Sequence, residues 1–275
     1  MPASSPSTFP NDPMIAPPLI LSIPSCTSTS SCLRLAIRDA EQAGEPLPHG
    51  TVFSAWAQTA GRGQRGNSWE SAPGANLTFS MLLRPRSLHA REQFRLSMAV
   101  SVAIAHRLRD LIPSDAGTVA IKWPNDIYVD DRKICGILIE NSLSGPFISW
   151  SIAGIGINVN QARFISDAPN PVSLSLLTAT DYPLPPLLNR FASDILREVD
   201  ALSDESAEAL SARYARLLWR GEGFHPYLDV ATSSRFMARI LSVDTDGILN
   251  LIDTDGCHRR YAFKEVSSIL TPDVL

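Results

Sequence analysis

Between strand-like runs at residues 51–56 and 76–83 lies the loop Gly61-Arg62-Gly63-Gln64-Arg65-Gly66. Its spacing matches the dinucleotide fingerprint G-x-G-x-x-G, which must open a helix inside a βαβ unit. Here Asn67-Ser68-Trp69-Glu70-Ser71-Ala72-Pro73-Gly74 follows instead, a turn-rich stretch that runs into a strand. No acid stands about 20 positions on to hold a ribose hydroxyl. The context therefore speaks against a Rossmann domain. The two loop arginines suit a segment that closes over an anion, with glycines letting backbone approach. Alone, the loop reads equally as an exposed turn with solvated arginines.

The surrounding pattern predicts a mixed α+β fold. Residues 19–23 form a short apolar run of strand type. Ser28, Thr29 and Ser30 precede Leu33, Ala36, Ile37 and Ala40 at helical spacing, a hydroxyl cap with Gly44 as the stop. Phe94, Met98, Val102, Ala105, Leu108 and Ile112 mark one long amphipathic helix over 91–112. Runs at 119–123 and 127–129 read as strands. A polar turn at Asp130 and Asp131 leads to a return strand over 133–140, and 147–159 reads as a long strand or strand pair. Helical periods recur over 185–202 and 205–219. Beyond Gly221 come short β runs at 235–243, 247–252, 259–263 and 266–270, with turns at Asp246-Gly247 and Asp255-Gly256. The expected division is a Pro- and Ser-rich disordered tail over 1–17, a mixed sheet with flanking helices over 18–220, and a small β-barrel over 221–275.

Composition narrows the function. The chain has 275 residues, 44% hydrophobic and 19% charged, with a formal net charge of −4. That balance argues for a globular domain and against a nucleic-acid binder, which shows a basic face. No apolar run approaches the ~18 residues of a membrane helix. The first residues carry no cation ahead of an apolar stretch, so no secretory leader is expected and a cytoplasmic setting is. Cys26, Cys32, Cys135 and Cys257 contain no C-x-x-C and read as reduced thiols. His49, His89, His106, His225 and His258 lack metal-ligand spacing.

Lys122-Trp123-Pro124-Asn125-Asp126 places a cation, an amide and a carboxylate within five residues at a strand end. Pro124 directs that cluster to a sheet edge or cleft. Lys133 follows at the start of the return strand. By alternation it shares a face with Cys135, Ile137 and Ile139, where a cation needs an anionic partner. A lysine reaching solvent from the strand end is the alternative. In Gly154-Ile155-Gly156-Ile157-Asn158, bare backbone can approach a flat ligand and Asn158 can hydrogen-bond it.

These segments, in this order, closely resemble the biotin protein ligases. Their pattern is a GRGRRG-type loop with W-x-S and G-x-N-L, then KWPND with R-K-x-x-G-I-L, then G-x-G-I-N. Here the segments are GRGQRGNSWESAPGANL, KWPNDIYVDDRKICGIL and GIGIN. The likeness runs over about 20–270 and implies that family's catalytic domain followed by an SH3-like barrel. It departs at Ser30, where the family usually has asparagine, and at Gln64, where many relatives carry a third arginine. The implied reaction is carbon–nitrogen ligation: ATP and biotin give biotinyl-5′-AMP, and a lysine of a biotin carboxyl carrier protein takes the biotin. Magnesium accompanies the ATP. The resemblance implies Ser28, Thr29, Gln58, Gly61, Arg62, Lys133, Gly136 and Gly154 as the biotin side. Arg62, Gln64, Arg65, Lys122, Asn125 and Asn158 form the nucleotide side. Lys133, Arg62, Lys122 and Asp126 carry the chemistry, Asp126 by orienting or deprotonating the acceptor lysine. No metal ligand on the protein is assigned, and a monomer or a homodimer is compatible.

The rivals differ in sequence. Lipoate protein ligases usually carry an R-R-x-S-G-G-G type loop, absent here. A biotin-responsive repressor needs a helix-turn-helix, and only about 20 residues precede the first expected strand, so no nucleic-acid partner is expected. A non-catalytic biotin-binding module has no use for the clustered cations. Lys264 and Glu265, in the expected barrel, are candidates for nucleotide or carrier docking.

Overall fold

The computed structural model describes residues 17–63, 68–165 and 170–270. A seven-stranded sheet has the order β1-β2-β3-β7-β6-β5-β4. Its strands are β1 (Ile20–Cys26), β2 (Val52–Gln58), β3 (Leu77–Leu83), β4 (Val119–Lys122), β5 (Asp126–Val129), β6 (Arg132–Ser144) and β7 (Phe147–Ile157). Among the described strands of this sheet, β1 and β2 pair in parallel and the other neighbours antiparallel.

The two faces of the sheet are covered unequally, and this difference makes the site. On one face lie α2 (Phe94–Leu111), α4 (Leu184–Asp200) and α5 (Ala207–Ala215), whose apolar sides form the main core with Phe79, Met81 and Leu83 of β3. On the other face, among the described residues, the covering helix is α1 (Thr29–Gln42), which seats Leu33 and Ile37 on Leu82 and Ile152. Beyond the N-terminus of α1, that face continues over Ser80, Gly154, Gly156 and Gly136, which are too small to fill it. A trough results.

Several expectations meet differences. Ser28 is the N-cap of α1, but its side chain makes no capping bond. Gln58 of β2 replaces it, its Oε1 accepting Thr29 N–H at 2.7 Å. The stop does involve glycine: α1 ends at Gln42, and Gly44 has φ +76°. The helix expected over 91–112 begins as a 3-10 turn, Ala90–Glu92. The run 147–159 is one uninterrupted strand. A short helix α3 (Leu174–Thr178), capped by the Ser173 hydroxyl, had no sequence signal.

Lys133 does not share a face with Cys135, Ile137 and Ile139. Tyr128 pairs with Lys133 and Ile127 with Cys135, so Ile134 is an extra residue between them. Such a bulge turns the strand locally. Lys133 therefore lies beside Gly136, its Cε 3.4 Å from where a Cβ on that glycine would sit. The lysine is tolerated because the bulge takes it off the apolar face.

The C-terminal region is a five-stranded antiparallel sheet of order β11-β10-β9-β8-β12. It comprises β8 (His225–Asp229), β9 (Arg235–Val243), β10 (Leu249–Asp253), β11 (His258–Tyr261) and β12 (Val266–Ser268). Among the described residues its end strands do not pair with each other. Tyr227, Phe236 and Tyr261 stack along its core. The sheet is tied to the first: Trp123 Nε1 donates to Gly247 O at 3.1 Å, and Arg220 donates to Ile269 O at 2.9 Å.

Candidate active site

The trough opens into a cleft of about 880 Å³. One end is polar and sealed. Thr29, at the start of α1, gives both its backbone N–H and its hydroxyl to Gln58 Oε1, at 2.7 and 3.1 Å. Ser80 Oγ lies 2.8 Å from both Thr29 Oγ1 and Ser30 Oγ. All three hydroxyl residues are buried.

The middle is flat. Gly136 and Gly156 are cross-strand partners on β6 and β7. Trp69 lies across them, because a Cβ at Gly156 would collide with its Cε2. Trp69 is held by its own N–H to Gly61 O at 3.0 Å. The segment behind it is anchored where Gln161 Nε2 donates to Glu70 and Asn76 donates to Gln161 Oε1, at 2.9 and 2.6 Å. Two buried polar atoms here have no hydrogen-bond partner: Trp69 Nε1 and Asn158 Oδ1. Asn158 donates its amide to Val172 O at 3.1 Å, which leaves that oxygen as an acceptor.

The other end is charged. Lys122 and Asp126 face one another across the β4–β5 hairpin whose turn holds a cis Trp123-Pro124 peptide. Lys133 Nζ meets Asp126 Oδ2 at 2.6 Å and stands 6.0 Å from the Trp69 ring. Lys122 Nζ donates to Tyr128 OH at 3.2 Å and sits over the Tyr128 and Trp219 rings at 4.8 and 5.3 Å. Burial pulls its ammonium down to about 8; nearby Asp126 opposes this, while Lys133 and Arg220 add to it. Arg62 lines the cleft away from these lysines: it meets Glu140, farther along β6 than Gly136, at 3.3 Å, and Arg34 of α1 shares that carboxylate at 3.0 Å.

Of the residues singled out in the sequence, Ser28, Thr29, Gln58, Arg62, Lys122, Asp126, Lys133, Gly136, Gly154 and Asn158 all line this one cleft. Gly61 lies at its edge, 3.4 Å from Gln58 Nε2 measured from its missing Cβ. Asn125 does not line it; its Nδ2 donates to Ser97 of α2 at 3.0 Å, which fixes the hairpin to the core. Gln64 and Arg65 lie outside the described residues. Sequence reasoning missed Ser80, which looks like one small residue in the buried run LTFSMLL, and Trp69, visible only as part of a motif. Phe263 and Lys264, in the turn between β11 and β12, also reach the cleft.

Among the described residues, no three acidic, cysteine or imidazole side chains converge as a metal site. No helix there is long and apolar enough to cross a membrane.

Comparison with known proteins agrees with this geometry. Residues 28–158 match the Biotin/lipoate A/B protein ligase family. The bifunctional ligase/repressor BirA of Escherichia coli is 34% identical over 182 residues, covering 66% of this chain and 50% of that protein. The biotin–[acetyl-CoA-carboxylase] ligase of Mycobacterium tuberculosis is 34% identical over 152 residues, 55% of this chain and 53% of that one. The chain thus spans about half the length of these curated relatives. Biotin protein ligase from Aquifex aeolicus, in complex with biotin and ATP, shares the fold at a TM-score of 0.68 and 23% identity, covering 90% of this chain and 97% of that one. Residues 28–158 of this chain therefore match the Biotin/lipoate A/B protein ligase family model, and the chain has the fold seen in the biotin protein ligases.

Proposed function

We propose that the chain activates biotin with ATP and transfers it to a lysine of a biotin carboxyl carrier protein. The observation that carries this reading is the polarity gradient of the cleft. One end offers amide and hydroxyl groups, the middle a glycine floor beneath Trp69, the other end two lysines and a carboxylate. Biotin fits that order: a hydrogen-bonding ureido ring, an apolar chain, then a carboxylate that must meet a phosphate. Lipoate, the alternative within the family, ends in a dithiolane ring that offers no N–H to the remaining lone pairs of Ser30 Oγ and no carbonyl to Gln58 Nε2.

In the first step a biotin carboxylate oxygen attacks the α-phosphorus of ATP. The new O–P bond forms as the bond to the β-phosphate oxygen breaks, and pyrophosphate leaves. Two anions must approach, so cations fixed at the meeting point lower the barrier. Lys133 fills that place, with Lys122 and Arg62 for the phosphates. A magnesium ion would be carried by the nucleotide's phosphates, with Asp126 the carboxylate beside them. Asn158 Oδ1, an acceptor without a donor, suits an adenine amino group. In the second step the acceptor amine attacks the acyl carbon, the bond to the AMP oxygen breaks, and Asp126 takes the proton.

Incubation with ATP, magnesium, biotin and a carrier domain tests this. Streptavidin-detectable label should appear on the carrier only when all four are present. A lipoyl mass increment on the carrier, read by mass spectrometry with lipoate in place of biotin, would favour the alternative.

A further inference from the structure

The sealed end of the cleft holds a hydrogen-bond chain whose direction follows atom by atom. A backbone N–H can only donate, so the group of Gln58 facing Thr29 N is its oxygen. Thr29 gives its single hydroxyl proton to the same oxygen. The 2.8 Å contact between Thr29 Oγ1 and Ser80 Oγ must then take its proton from Ser80. That leaves the 2.8 Å contact between Ser80 and Ser30 to take its proton from Ser30. Ser80 is fully buried and Ser30 is 5% exposed, so solvent offers neither a competing partner. Ser30 Oγ keeps only lone pairs. It lies 2.7 Å from where a Cβ on Gly154 would sit, at the cleft floor.

We propose that Ser80, which belongs to no motif, is a positioning residue that makes Ser30 an obligate hydrogen-bond acceptor. The slot thereby selects a ring that donates N–H at that point. A cyclic urea does so. The isosteric cyclic carbamate, with ring oxygen in place of one N–H, sets lone pair against lone pair and is rejected. The asparagine usual at this position in the family would offer donor and acceptor together, so this discrimination belongs to the Ser30–Ser80 pair. The inference rests on the biotin reading above.

Removing Ser80's hydroxyl frees the Ser30 proton to turn into the slot, where Ser30 can donate to the carbamate. The test is pyrophosphate release with biotin and with the two ring-oxygen carbamate analogues, in wild type, Ser80→Ala and Ser30→Ala. Wild type should prefer biotin over one regioisomer by about tenfold, expressed in KM and not kcat. Both variants should narrow that preference to about threefold or less. The ratio is taken within one protein, so a loss of folded fraction cancels, and a purely structural Ser80 would leave it unchanged. An unchanged ratio in Ser80→Ala, or no preference in wild type, overturns the inference while the ligase reading stands. Absence of biotin-dependent pyrophosphate release in wild type would overturn both.

Discussion

Lys133 Nζ and Asp126 Oδ2 stand 2.6 Å apart, in a pair formed by β6 and the end of the β4–β5 hairpin. Each is about a quarter exposed, so the pair is neither sealed nor loose. In the proposed reaction an arriving carboxylate and phosphate would share Lys133 with Asp126, and that exchange would free Asp126 for the amine that follows. Lys133→Ala should slow pyrophosphate release by about 10²–10³-fold, the range for losing one group aimed at developing charge. Asp126→Asn should slow transfer to the carrier more than adenylate formation. Single-turnover measurement of the two half-reactions decides it; equal losses would reduce Asp126 to a partner that holds Lys133.

Lys122 gives a pH signature. Its ammonium lies near 8 because it is buried against Tyr128 and Trp219. A polyphosphate beside it favours the charged form, so ATP binding should take up protons at about pH 8 and weaken as pH rises through that value. The opposite sign holds for stability without ligand. An unfolded lysine titrates near about 10.4, so between 8 and that value the unfolded chain holds more protons, and this residue makes stability rise with pH. Binding calorimetry in two buffers of different ionisation heat should report uptake of up to about one proton. Lys122→Met should abolish the uptake.

Arg62 leans on Glu140. Both groups are partly exposed, so the pair contributes little, ~0.2–1 kcal/mol. Glu140→Gln should release Arg62 toward an anion and tighten ATP binding by about two- to threefold. Unchanged or weaker binding would mean that Arg62 does not turn inward.

The Gly156 floor is tested by adding one carbon. Gly156→Ala drives Trp69 from its seat and should lower kcat/KM for biotin by about tenfold or more, since a 1 Å misplacement near the chemistry costs up to about 10²-fold. Trp69→Ala in the same chain should lessen the second loss, a coupling that a double-mutant cycle measures. Additive effects would place Trp69 and the floor in separate roles.

The elements that periodicity controls were legible in the sequence. The seven strands and the long helices follow from alternation and 3.6-residue spacing, and the motifs brought ten cleft residues to attention. What escaped depends on contacts distant in the chain. No alternation rule marks Ile134 as the extra residue that turns Lys133 onto the Gly136 face. Asn125 looks like its neighbours in KWPND, yet Ser97 on α2 claims it. His225-Pro226 hid β8, since proline argues against a strand until the position proves tolerant. The aromatic seat of Lys122 comes from Trp219, far along the chain and adjacent only once the sheet has formed.

Gly247 adopts φ +92°, and a Cβ there would sit 2.8 Å from the Phe94 ring. Its carbonyl receives the Trp123 indole across a separation of 124 residues. The hairpin that carries Lys122 and Asp126 is therefore tethered to a turn of the second sheet. A side chain at 247 would pry the second sheet from α2, pull on Trp123, and shift Lys122 and Asp126 together. Damage there would imitate an active-site lesion, with the fault lying in the hinge of the jaw and every tooth intact.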